Sequence, residues 1–146
     1  PVVVRAAGGT HPADLVRVVA AGVRAGAFVS LSVADRLPVE LASALAAADV
    51  DVDVEAPGVW SARLADLAAS EALGLRVRVL GPREETAVSR WREASRLTGG
   101  SPDVALYTGP VTTCPHTELL PFLHEQAVAV TSHRFGTPLD LAAGLL

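Results

Sequence analysis

The residues best able to do chemistry lie near the end of the chain. Cys114 and His116 fall in the string TTCPHT, and a thiolate beside an imidazole is the pair that nucleophilic catalysis uses. His124 and His133 follow, but their spacing matches no H-x-x-x-H or C-x-x-C pattern of a metal site. Because consecutive loop residues around a proline rarely converge, scattered surface histidines and a dispensable Cys114 are the interpretation that the pattern favours.

Charged residues alternate with valines in two predicted strands. Asp51 and Asp53 fall in DVDVDVE, and Arg76 and Arg78 fall in LRVRVLG. Alternation puts each pair on one face of its strand. If the two strands are neighbours, the rows form cross-strand ion pairs, which contribute little when exposed. We therefore interpret both pairs as structural.

The loop after the first predicted strand does not carry a dinucleotide fingerprint. Its sequence AAGGTHPADL holds Gly8 and Gly9 without the G-x-G-x-x-G spacing, and no acidic residue ends the second predicted strand. The two glycines are better explained as a turn of the chain. We expect no cofactor to bind to this segment.

The elements that would position these residues alternate between strand and helix. Short apolar or alternating runs occur at residues 1–5, 28–33, 49–55, 75–79 and 103–107, with helical patterns between them. Such alternation predicts an α/β, Rossmann-like three-layer domain with a mostly parallel sheet of about five strands. Residues 1–107 would form that domain. In its fourth helix, we expect Val88, Trp91 and Ala94 or Ser95 to form the buried stripe.

The pattern changes after Tyr107. Residues 108–146 are expected to form a C-terminal extension of the same domain, with a short helix near 119–125 and a strand near 127–132. Two of the three Phe residues lie within residues 118–138. This aromatic stretch predicts either a catalytic constellation or a segment that contacts another part of a larger protein.

Composition limits the classes of function. The net charge of −4 and the pI near 5.5 of this 146-residue chain argue against a nucleic-acid binder, which would show a basic face. No apolar run approaches the roughly 20 residues of a membrane span, and no secretory signal is visible. One Cys excludes an internal disulfide, so the cytoplasm is the default location. Because the chain has no Met, we expect it to be a piece of a longer protein.

The string PDVALYTGPVTTCPHTELLPFLHEQAVAVTSHRFGTP, residues 102–138, resembles the C-terminal segment of bifunctional bacterial proline-catabolic enzymes, the proline utilization A group. Related sequences carry DVAVY-x-GPV and ELLPFLREQAV-x-T-x-HRFG at the matching places, and His124 stands where they have Arg. These enzymes join an FAD-dependent proline dehydrogenase to an NAD-dependent pyrroline-5-carboxylate (L-glutamate-γ-semialdehyde) dehydrogenase.

The start of the chain is similar to the cofactor domain of aldehyde dehydrogenases. The string VVVRAAGGTHPADL resembles their VVLKPSE-x-TP, with Arg5 in place of a ribose-binding Lys and a Gly in place of the Glu. The catalytic signature G-Q-x-C and the motif E-L-G-G are both missing. The longer members of the proline utilization A group end in a degenerate, aldehyde-dehydrogenase-like domain of this kind, which neither binds NAD nor performs chemistry.

The resemblance implies a non-catalytic structural domain that packs on the dehydrogenase domain and helps to enclose the cavity of the intermediate. FAD and NAD are then expected in the parent enzyme, which would be cytoplasmic or bound peripherally to a membrane. Its partners would be the other domains of the same polypeptide, with homodimer contacts left open. The residues that the resemblance assigns to docking or to a lid are Glu118, Phe122, Glu125, Gln126, His133, Arg134, Phe135 and Gly136.

An alternative from another class remains open. A free-standing α/β enzyme or small-molecule binder would use Cys114 and His116 in a pocket. The missing nucleotide loop and missing catalytic motifs favour the structural domain over this alternative.

Overall fold

A computed structural model describes residues 2–71 and 74–124. Strands and helices alternate along the chain as the sequence pattern predicts. The strands are β1 (Val2–Ala6), β2 (Val29–Val33), β3 (Asp51–Val54), β4 (Arg76–Leu80) and β5 (Ala105–Tyr107). The helices are α1 (Pro12–Arg24), α2 (Val39–Ala47), α3 (Pro57–Glu71), α4 (Ala87–Leu97) and α5 (Pro115–Leu119), and a 3₁₀ helix (Leu120–Phe122) follows α5.

The five strands form one sheet in the order β3-β2-β1-β4-β5. All four pairings between them are parallel, with Val2 opposite Val29 in β2 and opposite Arg76 in β4. From β1 the chain adds β2 and then β3 toward one edge of the sheet. Helix α3 then carries the chain back across the sheet, and β4 and β5 follow toward the other edge. The prediction of a Rossmann-like α/β domain with a parallel sheet of about five strands is confirmed.

The sheet separates two apolar clusters. On one face, α1 and α2 cover Val4, Leu31 and Val33, and α1 contributes Leu15 and Val18. On the other face, α3 and α4 cover Val3, Val77 and Val79, and α3 contributes Trp60 and Leu64. Strand valines on alternate faces explain the runs of apolar residues in β1 and β4, because both sides of a central parallel strand are buried.

Helix α1 begins with a capped first turn. His11 is the N-cap, its Nδ1 accepts a hydrogen bond from the Ala13 amide at 3.2 Å, and Pro12 follows it. The ring of proline pre-sets the backbone angle φ for a first helical turn. Gly9, with φ of 76°, turns the chain between β1 and this helix, which is the role predicted for it.

The expected ion pairs between β3 and β4 do not form. These strands are separated by β2 and β1, because α3 carries the chain back across the sheet. Asp53 instead accepts a hydrogen bond from Arg63 of α3 at 2.7 Å. Arg76 and Arg78 face the α1 side, where Arg76 donates to the Leu123 carbonyl.

The buried stripe expected for α4 is also partly wrong. Ala94 is buried as predicted, but Val88 and Trp91 are 56% and 49% exposed. The side chain of Arg90 takes the inward position instead. Its long apolar stem packs in the interior while its guanidinium reaches backbone carbonyls, so hydrophobicity alone selected the wrong face of the helix.

The chain after β5 completes the α1 layer. A loop of residues 108–114 leads into α5, and α5 and the 3₁₀ helix pack against α1 and β4. The short helix therefore begins earlier than the predicted 119–125. The strand predicted at 127–132 lies outside the described residues.

Candidate functional site

A cleft lies where the strand order reverses, between the carboxyl ends of β1 and β4. It has a volume of about 430 Å³. Its walls are the first turns of α1, the loop after β4 and the loop after β5, and they include Asp14, Arg17, Pro82, Arg83, Glu85, Arg90 and Pro110. Open parallel sheets bind ligands at such a switch point, so this cleft is where a ligand site would be sought.

An ion pair crosses the mouth of this cleft. Arg83 donates two hydrogen bonds to Asp14 of α1, from Nε to Oδ2 at 3.1 Å and from Nη2 to Oδ1 at 3.0 Å. Arg17 adds a third contact to Asp14 at 3.2 Å. The hydrogen bond from Arg83 is the main reason that the pKa of Asp14 lies below its usual value. The forked geometry ties α1 to the loop after β4.

Arg90 joins the two loops on the other wall. Its Nε and Nη2 donate to the Thr108 carbonyl at 3.3 and 3.1 Å, and its Nη1 donates to the Glu85 carbonyl at 2.9 Å. The hydroxyl of Thr108 donates in turn to the Ala87 carbonyl at 3.0 Å. The donors of this buried guanidinium therefore satisfy the backbone of both loops, which is a structural use of arginine.

Arg5 occupies the position that resembles a ribose-binding Lys. It is 3% exposed, and its Nη1 donates to Ser32 Oγ at 2.6 Å and to the Glu55 carbonyl at 3.1 Å. Its guanidinium also lies 5.3 Å from the centre of the Trp60 ring. Burial lowers the pKa of Arg5, and the charge of Glu55 acts in the opposite direction. The side chain therefore joins β1 to β2 and to the start of α3.

Glu118 is 4% exposed and pairs with Arg78 inside this domain. Arg78 Nη2 donates to Glu118 Oε2 at 3.1 Å, and Glu118 Oε1 accepts from the Thr112 amide at 2.7 Å. Arg78 also donates to the Gly109 carbonyl at 2.7 Å. Burial lowers the pKa of Arg78, and Glu118 opposes that shift. The pair anchors α5 on the sheet.

Phe122 fills the gap between α1 and β2. It is 5% exposed and belongs to the same cluster as Leu31. A Cβ added to Gly22 of α1 would lie 2.8 Å from Phe122 Cε1 and 2.5 Å from Val29 Cγ2. Only glycine at this helical position leaves room for the ring.

These positions change the expectation for two of the docking residues. Glu118 and Phe122 were assigned to contacts with another domain, and the structure places both in the interior of this one. Glu118 is buried because it pairs with the buried Arg78. Phe122 is buried because it fills the groove that Gly22 leaves. The other six expected docking residues lie outside the described residues: Glu125, Gln126, His133, Arg134, Phe135 and Gly136.

Cys114 is exposed and stands at the N-cap of α5. The Thr117 hydroxyl is the main group that lowers the pKa of this thiol, and the amides of Thr117 and His116 add to the effect. The His116 imidazole is not among the groups that lower it. The neighbouring Thr117 and His116 thus favour the thiolate, although no side-chain hydrogen bond from Cys114 caps α5. Among the described residues, the imidazole that a catalytic pair needs as its base does not act on this thiol.

Sequence reasoning missed Arg78–Glu118 and Arg90. The available signal was an arginine within an apolar strand or on the apolar side of a helix, where an unpaired charge would be costly. Such a position predicts a partner, although the sequence does not say which carboxylate or carbonyl supplies it.

Within residues 2–71 and 74–124, no group of His, Cys, Asp and Glu is arranged to hold a metal ion. None of the helices described there is both long enough and apolar enough to cross a membrane. Comparison with protein-family models, curated proteins and solved structures gives no match.

Proposed function

We propose that this chain is a non-catalytic structural domain of a bifunctional enzyme that oxidises proline to glutamate. Its partners would be the FAD-dependent proline dehydrogenase and the NAD-dependent pyrroline-5-carboxylate dehydrogenase of the same polypeptide, in the cytoplasm. The domain would pack on the dehydrogenase domain and help to enclose the intermediate. The sequence resemblance supplies the identity of the enzyme, and one observation about the site supports the structural role.

That observation is the use of Arg5. In the similar cofactor domains, a Lys at this position reaches the ribose of NAD. Here the guanidinium is buried and bonded to Ser32 and to the Glu55 carbonyl. A ribose could not take its donors without breaking contacts that join β1 to β2 and to the residue after β3. The cations that line the cleft, Arg17, Arg83 and Arg90, are likewise bonded to protein groups. The geometry of these arginines favours a structural role over the binding of a cofactor.

The docking role can be narrowed within the C-terminal segment. Arg78 and Glu118 fix α5, and Phe122 fixes the 3₁₀ helix, so both short helices pack on this domain. Contacts with the neighbouring domain then fall to the remaining residues of the docking set, from Glu125 to Gly136. Phe122, which is fixed in this domain, is the last anchored residue before those docking residues.

Truncation of the parent enzyme after His124 tests this role. We expect proline dehydrogenation and the oxidation of added semialdehyde to continue, while NADH from proline appears only after a lag. The lag would arise because the intermediate escapes. Truncation after Tyr107 is the matched control, since it also removes Glu118 and Phe122, which hold α5 and the 3₁₀ helix on this domain. This longer truncation should lower the unfolding temperature.

Two results would contradict the proposal. One is NADH formation from proline without a lag in the shorter enzyme. The other is the absence of a flavin-dependent barrel and of the G-Q-x-C motif from the reading frame upstream of Pro1. Titration of the 146-residue chain with NAD gives an independent check, and calorimetry should detect no micromolar binding.

A further inference from the structure

Two arginines share one carboxylate on the wall of the cleft between β1 and β4. Arg17 Nη1 and Arg83 Nη2 both donate to Asp14 Oδ1, at 3.2 and 3.0 Å, and Arg83 Nε donates to Asp14 Oδ2 at 3.1 Å. The two guanidinium groups therefore lie side by side. Because Asp14 is itself only 8% exposed in the first turn of α1, it holds both cations in place beside the cleft.

The bonds to Asp14 use only part of what these arginines can donate. Of the five N–H donors of a guanidinium, Arg17 gives one to Asp14 and Arg83 gives two. Within residues 2–71 and 74–124, neither side chain donates to another protein group. The two side chains are 46% and 61% exposed and both line the cleft, so their remaining donors are accessible to a ligand there.

The same group of residues carries an excess of one positive charge. Arg17 and Arg83 have only Asp14 between them. Arg90, the third arginine of the cleft, is buried and has a carboxylate of its own in Glu85, at 3.6 Å. A positive charge beside a cleft attracts anions, and the forked donors of arginine match the oxygens of a carboxylate or a phosphate. The cleft therefore favours an anionic ligand.

The rest of the lining limits the kind of anion. Its volume of about 430 Å³ is near the lower end of the range for ligand pockets. None of the described residues that line it is aromatic, so a nucleobase would find no ring to stack on. Five of the lining residues are apolar instead: Leu80, Pro82, Ala87, Pro110 and Val111. Such walls suit a short aliphatic body better than a nucleotide or a bare inorganic anion.

We infer that this cleft, here called the switch-point cleft, binds a small organic carboxylate with a short aliphatic body. The ligand's carboxylate accepts hydrogen bonds from the donors of Arg17 and Arg83 that Asp14 does not use. Its aliphatic body lies against the apolar walls, which include Leu80 and Val111. This is a binding function beyond the structural role proposed above, and it requires neither a nucleotide loop nor a catalytic residue.

A nuclear magnetic resonance titration of the 146-residue chain with butyrate tests the inference. At neutral pH and constant ionic strength, we expect saturable binding with a Kd of about 1 mM, as is reasonable for so small a ligand. The amides of Gly81 and Gly109, which line the cleft, should shift, whereas that of Gly58 in α3 should not. Shifts that do not saturate, or that are as large at Gly58, would overturn the inference.

Three further probes separate charge from apolar contact. Butylammonium has the same aliphatic body with the opposite charge and should not bind. Acetate lacks two methylene groups and should bind about tenfold more weakly than butyrate. Inorganic phosphate, which has no aliphatic body, should also bind more weakly. Binding of butylammonium like that of butyrate would contradict the role of the arginines. Acetate or phosphate binding as tightly as butyrate would contradict the ligand class.

Variants of the two arginines locate the site. Arg17→Met and Arg83→Met keep an apolar stem and remove the guanidinium, and each should weaken butyrate at least about tenfold, because hydrogen bonds between charged groups are lost. Arg24→Met, at the end of the same helix and outside the cleft, is the matched control and should bind butyrate as the unaltered chain does. The amide spectrum of each variant shows whether the fold is kept. Unchanged binding in both cleft variants, or an equal loss in Arg24→Met, would refute the site.

This inference and the proposed function can fail separately. The titrations use the chain alone, so their result does not depend on which enzyme the upstream reading frame encodes. A lag in NADH formation without any butyrate binding would leave the structural role standing and refute the carboxylate site. Butyrate binding that requires Arg17 and Arg83, in a chain whose parent shows no lag, would support the site and contradict the enclosure of the intermediate.

Discussion

The two faces of the sheet are completed in different ways. On the α1 face, the segment after β5 folds back and places Phe122 and Glu118 in the interior. On the face covered by α3 and α4, no comparable segment follows among the described residues, and Trp91 remains half exposed. The first face is closed by the chain itself, whereas α4 leaves Trp91 partly uncovered on the second.

Buried arginines show the same difference. Arg78 on the α1 face meets a carboxylate that is itself buried, with side chains 4% and 5% exposed. Arg90 on the α4 face meets mainly backbone carbonyls, and its nearest carboxylate, Glu85, is 37% exposed. Removing Glu118 should therefore lower the stability far more than removing Glu85. Only Arg78 would then be left as a buried charge without its main partner.

Replacement of Phe122 by Ala should cause the largest loss of stability. The ring lies among α1, β2 and β4, and its removal leaves a cavity in a closed cluster, so we expect a loss of about 3 to 5 kcal/mol in the free energy of unfolding. Urea unfolding measures it. Trp91→Ala is the matched control and should cost less than about 1 kcal/mol. The reverse order would break the comparison between the two faces.

Replacement of Glu118 by Ala should cost about 3 kcal/mol, because Arg78 and the Thr112 amide would lose their buried partner. Glu85→Ala, the control on the other face, should cost less than about 1 kcal/mol. The double variant Arg78→Met with Glu118→Leu should recover most of the loss, since neither charge is then buried. If Glu85→Ala proves as damaging as Glu118→Ala, the difference assigned to the two arginines is wrong.

The alternation of strands and helices was predictable because it depends on local properties. Valines in β1 and β4, Pro12 and His11 at the start of α1, and the turn at Gly9 each report on a few neighbouring residues. The strand order was not predictable in this way. Expecting β3 beside β4 ignored the crossover of α3, and so paired Asp53 with the wrong arginine.

The candidate site depended more on contacts distant in sequence. The sequence pattern placed Trp91 inward, and the structure leaves it half exposed; the resemblance assigned Phe122 to contacts with another domain, and the structure buries it in this one. Phe122 is buried because Gly22, far away in the chain, leaves a groove of the right depth. Trp91 is displaced because the stem of Arg90 fills the inward position on α4. Hydrophobicity alone cannot show either effect.

The ion pair across the cleft mouth should have a smaller, pH-dependent effect. The folded state lowers the pKa of Asp14 through its hydrogen bond with Arg83, so the pair stabilises the fold above the unfolded pKa, about 4. That stabilisation is lost as the pH falls through the lower, folded pKa. Because Arg83 is 61% exposed, solvent screens the pair, and we expect only a small contribution to stability.

Asp14→Asn should therefore lower stability at neutral pH and flatten its loss in acid. Unfolding by urea across the acid range measures this, and Asp66→Asn, an exposed acid on α3, is the control. If the stability of Asp14→Asn and that of the unaltered chain change equally with pH, the Asp14–Arg83 ion pair contributes nothing to the stability.

Replacement of Cys114 should have the smallest effect on the protein, although its thiol is chemically distinct. The Thr117 hydroxyl and the amides at the start of α5 lower the pKa of this thiol, so its rate of alkylation should reach half-maximum below the ordinary value of about 8.5. Thr117→Val should move that midpoint upward, whereas Thr113→Val, just before the cysteine, should not. Cys114→Ser should leave both the stability and the coupled turnover of proline in the parent unchanged, because the exposed side chain only borders the α1 face. A loss of about 100-fold in turnover, the size expected for removing a nucleophile or its base, would instead contradict the non-catalytic role given to Cys114.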